Sequence, residues 1–159
     1  MKTVTIQFCS FPTLVGETIE WFTQGLCGHV DAVMPDGSLL GAQQESDLGG
    51  KPSGVQIRPS NYGGMTHRLQ ASFSCTTAQA ETFYSFLQAQ VGKPYDLTAI
   101  AAFVAGRDWH DRQAWFCSEL IAAALEEADI IRKLVDPLNK ITPATLLVVA
   151  SALVPVQAA

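Results

Sequence analysis

Strand patterns and helical patterns occupy different halves of this chain, and that order constrains its fold more than any other feature. Pro35-Asp36-Gly37-Ser38 is a turn sequence between two alternating segments, which predicts a β-hairpin. The sequence therefore predicts an α+β fold, with an antiparallel sheet formed mainly by the first half. The expected strands cover residues 3–8, 29–34, 39–43, 54–59 and 66–74.

Apolar residues at helical spacing predict the other elements. Thr76 and Gln79 have the spacing of a capping box, followed by an apolar set that ends at Val91 before Gly92 closes the helix. Asp96 is expected to cap a short helix, and Pro143 to begin the last one. The expected helices cover residues 12–25, 77–91, 96–104, 118–129 and 142–153.

Length and composition limit the classes of protein that this chain can belong to. Its 159 residues fit one domain spanning 1–159, and 48% hydrophobic with only 16% charged residues favours a large core. A net charge of -5 argues against a nucleic-acid partner. No run is long enough for a transmembrane segment, and no secretory signal is visible, so we expect a cytoplasmic product.

Cys117 and His29 are the candidate chemical groups. A cysteine at the start of a helix lies beside unpaired backbone N–H groups and the positive end of the helix dipole, which stabilise a thiolate. His29 begins a predicted strand after the small Gly28, and imidazole is the usual general base for a thiol. Each residue taken alone is also compatible with a structural role. The other two histidines, His67 and His110, are expected to be solvated.

Two strings in the second half resemble a known family. Gly92-Lys93-Pro94-Tyr95-Asp96, a short helix and Phe116-Cys117-Ser118-Glu119 resemble the paired signature of the YiiX-like, circularly permuted NlpC-type papain-fold cysteine hydrolases. The segment around Gly28-His29-Val30 is similar to the histidine hairpin of that family. The resemblance implies a permuted papain-like fold in which an antiparallel sheet packs against the helix that bears the nucleophile. It also implies Cys117 as nucleophile, His29 as base, and no cofactor.

The residue that orients the histidine is where the sequence departs from the family. Many members place a glutamate on the second hairpin strand, and that position falls on Gly41, which has no side chain to offer. Asp31 shares a strand face with His29, and Gln43 shares a face with Gly41, so either could replace the glutamate. Asp31 is favoured because a carboxylate also stabilises an imidazolium. Tyr95 and Trp115 are expected to line the substrate cleft.

The expected activity is hydrolysis of an amide or ester bond through an acyl-thioester. The amide could belong to a cell-wall stem peptide, which would require delivery by a route other than Sec. A lipid acyltransferase of the same permuted type is the nearest alternative, and a catalytically inactive papain-fold binding module is another. A zinc site formed by Cys27, His29, His110 and Cys117 is disfavoured, because the spacing of Cys27 and His29 is too short for the usual knuckle. We therefore expect no metal.

Overall fold

A computed structural model describes residues 1–12, 26–45, 48–96 and 113–159 of the chain. These residues form an α+β fold with one sheet and three α-helices. The strands are β1 (Lys2–Ser10), β2 (His29–Val33), β3 (Leu39–Gln43), β4 (Gly54–Arg58), β5 (Thr66–Cys75) and β6 (Val156–Ala158), and the helices are α1 (Thr77–Ala89), α2 (Cys117–Glu127) and α3 (Pro143–Leu153).

The sheet has six strands in the order β4-β3-β2-β1-β5-β6, and every neighbouring pair is antiparallel. The five strands expected from the sequence are all present. The sixth, β6, was not expected, because three residues are too few to show an alternating pattern. It pairs with β5 and lies at one edge of the sheet, whereas β1 lies in the interior of the sheet.

The register of β2 places its side chains on two faces. Val30 and Ala32 are fully buried and belong to the main core, which also contains the apolar residues of α2. Cys9 of β1 is opposite His29, and Gln7 is opposite Asp31. Since side chains alternate along a strand, His29 and Asp31 share one face of β2, as expected.

A second, smaller cluster of buried residues covers that face. It consists of Cys9, Phe11, Leu39 and Tyr62. The ring of Phe11 makes an edge contact with the ring of His29, with centroids 5.2 Å apart. The sheet is therefore covered on both faces near the start of β2, which removes His29 from bulk water.

Helix α1 begins with the expected capping box. The side chain of Thr76 accepts from the backbone N–H of Gln79, and the Gln79 side chain accepts from the backbone N–H of Thr76. The helix ends at Ala89 instead of Val91, because the chain turns towards Gly92, which has a φ of 89°. Val91 is 41% exposed and is not part of the core, so its inclusion in the apolar stripe was wrong.

Helix α2 is the most buried helix among the described residues. All nine residues from Cys117 to Leu125 are buried. The helix ends two residues before the expected Asp129, since Asp129 has a φ of 50° and leaves the helical conformation. It packs on β2 and β3, so the first residue of α2 lies near the hairpin that carries His29.

Helix α3 begins where Thr142-Pro143 predicted it. The Thr142 side chain accepts from the backbone N–H of Thr145, and Pro143 occupies the first helical position. Among the described helices, none combines the length and the apolar composition that crossing a bilayer requires. All but the first residue of each of the helices expected at 12–25 and 96–104 fall outside the described residues. His110 also lies outside them.

Candidate functional site

Cys117 is the first residue of α2. Phe116 before it is extended, with φ and ψ of -84° and 152°, and its backbone N–H donates to a carboxylate oxygen of Glu119 at 3.4 Å. A negative side chain in the first turn also suits the positive end of the helix dipole. The thiol and the backbone N–H of Cys117 therefore lie at the end of α2 that favours negative charge. Cys117 is 0% exposed.

The imidazole of His29 interacts with both Asp31 and Cys117. Its Nε2 atom is 2.8 Å from Oδ1 of Asp31. The thiol of Cys117 is near enough to the ring to contribute to its raised pKa. The structure therefore brings together three residues from two distant parts of the sequence. His29 and Asp31 come from one strand, whereas Cys117 comes from a helix 88 positions later, counting 117 minus 29.

The same contacts determine the charge of His29. Burial disfavours a charged ring, but the negative charge of Asp31, its hydrogen bond and the contact with Cys117 outweigh burial. Together they raise the pKa of His29 to about 10. The ring is therefore an imidazolium at neutral pH, a state that both neighbouring groups stabilise.

Asp31, and not Gln43, is the side chain that holds His29. Gln43 is buried, and its Oε1 accepts from the backbone N–H of Gln44 at 2.9 Å. Among the described residues its Nε2 has no hydrogen-bond partner, and the amide makes no bond to the imidazole. Of the two alternatives that the sequence left open, the structure supports the carboxylate on β2.

Gly41 explains how a residue only two positions from His29 can reach its ring. A Cβ atom added at Gly41 would lie 1.9 Å from Oδ1 of Asp31 and 3.0 Å from its Cγ. The carboxylate of Asp31 therefore occupies the space that a side chain on β3 would take. The absence of a side chain at position 41 therefore leaves no gap, because a carboxylate from the neighbouring strand fills that space.

Tyr62 is a further member of this cluster that no sequence pattern indicated. It follows β4, in the 3-10 turn Tyr62–Gly64, and its hydroxyl donates to Oδ2 of Asp31 at 2.7 Å. The same hydroxyl is 3.1 Å from Nε2 of His29. Burial first, and the nearby Asp31 charge second, raise the pKa of Tyr62 well above its usual value. The hydroxyl therefore remains protonated.

The string from Gly92 to Asp96 is fixed against two other parts of the chain. Val55 of β4 donates to the carbonyl of Lys93 and accepts from the N–H of Gly92, at 2.9 and 2.8 Å. Tyr95 and Trp115 form a parallel bridge in which Trp115 donates to Pro94, and Asp96 donates to Trp115, each at 3.0 Å. The bridge places Tyr95 beside the residues that precede Cys117.

Tyr95 and Trp115 differ in their surroundings. Tyr95 is buried, its ring lies 5.8 Å from that of Phe116, and burial followed by the nearby Cys117 raises its pKa well above the usual value. Trp115 is half-buried, and its indole N–H donates to Oε1 of Gln90 at 3.1 Å. The structure therefore places Tyr95 near the thiol, whereas the indole of Trp115 is bonded to the end of α1.

Of the other residues in the candidate zinc set, Cys27 bonds away from His29, and His110 lies outside the described residues. The thiol of Cys27 donates to the carbonyl of His67 at 3.5 Å, and the His67 side chain is exposed. Burial, together with the charge of Asp31, raises the pKa of Cys9. Within the part of the chain that the structure describes, no three histidine, cysteine or acidic side chains form a group suited to a metal ion.

Comparison with solved structures identifies the fold. The chain superimposes on the crystal structure of the metalloprotein YiiX from Escherichia coli O157:H7, DUF1105, with a TM-score of 0.57. The match covers 90% of this chain and 85% of that chain, at 17% sequence identity. This chain has a YiiX-like fold. No family model and no curated protein sequence matches it.

Proposed function

We propose that this YiiX-like protein is a thiol hydrolase of the permuted papain-like type that cleaves an amide or ester bond. One observation carries the proposal: the imidazole of His29 is hydrogen-bonded to the carboxylate of Asp31 and lies near the thiol of Cys117. A nucleophile, a base within hydrogen-bond reach and a group that orients the base are the recurring parts of nucleophilic acyl transfer.

The chemistry follows from the positions of these groups. The Cys117 thiolate attacks the carbonyl carbon, and the backbone N–H groups at the start of α2 are suited to stabilise the negative oxygen that develops. The imidazolium of His29 then gives its proton to the leaving amine or alcohol as the carbon–heteroatom bond breaks. This leaves an acyl-thioester on Cys117. Water, deprotonated by His29, releases the acid and regenerates the thiolate.

Asp31 supports both halves of this cycle. It stabilises the imidazolium while His29 carries the extra proton, and its bond to Nε2 fixes the orientation of the ring. The glycine at position 41 was the main argument for an inactive binding module, because it cannot orient the imidazole. In this proposal Asp31 supplies the orienting carboxylate in its place.

Metal-assisted hydrolysis has weaker support. YiiX is described as a metalloprotein, but the candidate set in this chain does not fit a metal centre within the described residues. His29 is hydrogen-bonded to Asp31, and the thiol of Cys27 donates to the carbonyl of His67. These bonds direct the two side chains to different partners and not to a common metal ion. We therefore derive no catalytic step that requires a metal.

An acyl adduct on Cys117 is the expected result of a direct test. Incubation of the wild-type protein with p-nitrophenyl acetate, followed by intact-mass and peptide analysis, is expected to find an acetyl group on Cys117 that neutral hydroxylamine removes. The matched reference is Cys75, which is also a buried free thiol. Acetylation of no cysteine, or of Cys75 to the same extent as Cys117, would remove the basis of the proposal.

The same assay separates hydrolysis from acyl transfer. Release of free acetate from the adduct in buffer alone supports a hydrolase, and release only after a lipid or alcohol acceptor is added supports the acyltransferase alternative. A screen with peptide amides, including cell-wall stem peptides, and with carboxylic esters then defines the bond that is cleaved. The Cys117→Ala variant is the blank for that screen.

A further inference from the structure

Tyr62 occupies a place in the site that neither the sequence nor the proposed function assigns to it. Its side chain is buried, with 3% exposed. Its hydroxyl contacts both members of the His29–Asp31 pair, at 2.7 Å from Oδ2 of Asp31 and 3.1 Å from Nε2 of His29. Each carboxylate oxygen of Asp31 thus has a different partner, since Oδ1 is bonded to His29.

The number of available protons determines how these three groups bond. A phenol has one proton, and here it is donated to Oδ2 of Asp31. Towards Nε2 of His29 the phenol oxygen can then only accept, and Oδ1 of the carboxylate also accepts. Nε2 therefore carries the hydrogen that both oxygens share. The nitrogen left to exchange a proton with Cys117 is Nδ1.

We propose that Tyr62 is a positioning residue of the Cys117–His29 site, whose hydroxyl fixes the Asp31 carboxylate and keeps Nε2 of His29 protonated so that Nδ1 faces the thiol. This inference rests on the proposed function, since proton exchange with Cys117 is the step that it serves. Tyr62 acts through Asp31 and His29 and need not touch the substrate. The proton on Nε2 stays in place through the cycle, whereas the proton on Nδ1 moves.

The ring of Tyr62 is held independently of its hydroxyl. Its centroid lies 5.3 Å from that of Phe11, and the Arg58 guanidinium carbon lies 5.5 Å from the ring centroid. Arg58 itself is buried and donates to the carbonyls of Gly41, Pro52 and Gly54. The Tyr62→Phe substitution therefore removes the hydroxyl and leaves the packing of the ring unchanged.

The test compares Tyr62→Phe with Tyr84→Phe. Tyr84 is the matched control because its hydroxyl also donates a single hydrogen bond, to the carbonyl of Val33 at 3.2 Å, away from the His29 ring. With p-nitrophenyl acetate as the probe, Tyr62→Phe is expected to lower kcat about 10- to 100-fold, the range for one hydrogen bond to a charged group, with little change in KM. Tyr84→Phe is expected to keep the wild-type kcat.

The pH profile separates a positioning role from a merely structural one. Without the tyrosine hydroxyl, the Asp31 carboxylate loses a hydrogen-bond donor, and Nε2 of His29 loses one of the two oxygens beside it. The pH profile of kcat is therefore expected to shift in Tyr62→Phe and not in Tyr84→Phe. Equal kcat values and coincident profiles for the two variants would overturn the inference while leaving acetylation of Cys117, and so the proposed function, intact.

A measurement on the wild type makes the test independent of any variant. Proton–nitrogen NMR of the imidazole is expected to find an exchange-protected hydrogen on Nε2 of His29. A ring protonated on Nδ1 alone would contradict the inference. If wild-type Cys117 forms no acyl adduct, the proposed function fails first, and the role of Tyr62 in catalysis fails with it.

Discussion

We expect the Cys117→Ser variant to lose at least about 10³-fold in the turnover of p-nitrophenyl acetate, the scale of loss when the nucleophile of a catalytic unit is replaced. Serine keeps the shape of the side chain, but its hydroxyl is far less acidic than a thiol and cannot form the stable anion that the imidazolium of His29 would pair with. Steady-state release of p-nitrophenol measures the effect.

The control for this variant is Cys75→Ser. Both cysteines are buried, at 0% and 6% exposure, so both substitutions place a hydroxyl in the core and have a similar cost in stability. Thermal unfolding shows whether the two variants remain folded. Cys75→Ser is expected to retain the wild-type turnover. Equal turnover of the two folded variants would mean that the reaction does not use Cys117.

The Gly41→Ala substitution is expected to reduce turnover at least about 100-fold, even though it adds a single methyl group to a strand. The new Cβ would lie 1.9 Å from Oδ1 of Asp31, far closer than two such atoms can approach. The carboxylate must move, and Nε2 of His29 then loses its charged partner. Overpacking of this kind also costs about 1–3 kcal/mol of stability, which urea unfolding measures.

A double-mutant cycle isolates the cause. Asp31→Ala alone removes the carboxylate and is expected to lower turnover by about 10²- to 10⁴-fold, since orienting carboxylates contribute on this scale. Adding Gly41→Ala to Asp31→Ala is expected to cost little more, because the group with which the methyl clashes has gone. Additive losses from the two substitutions would show that Gly41 acts by some route other than the position of Asp31.

Local patterns in the sequence predicted much of the sheet and the two halves of the site. The alternation in residues 29–34 placed His29 and Asp31 on one face of a strand, and the hairpin has its turn at Pro35-Asp36-Gly37-Ser38 as expected. The helix signal after Cys117 placed the thiol at a helix N-terminus. Each of these features depends on residues that are close together in the chain, which is why a periodic pattern reveals them.

Contacts between distant segments could not be predicted in this way. The bond from Tyr62 to Asp31 joins residues 31 positions apart and depends on a turn whose sequence, Asn61-Tyr62-Gly63-Gly64, carries no chemical pattern. The role of Gly41 depends on the close approach of the Asp31 side chain from a neighbouring strand. In the sequence, the glycine indicated only that the expected glutamate was missing.

Selective alkylation of Cys117 tests the pairing of Cys117 with His29 most directly. Limiting iodoacetamide with peptide mass analysis gives the rate at each cysteine. Since the pKa of His29 is raised to about 10, its imidazolium persists at neutral pH beside the Cys117 thiol, and we expect Cys117 to be labelled much faster than Cys75 at pH 7. His29→Ala is expected to abolish that preference. Labelling of Cys117 no faster than that of Cys75, or labelling unaffected by His29→Ala, would contradict the pairing.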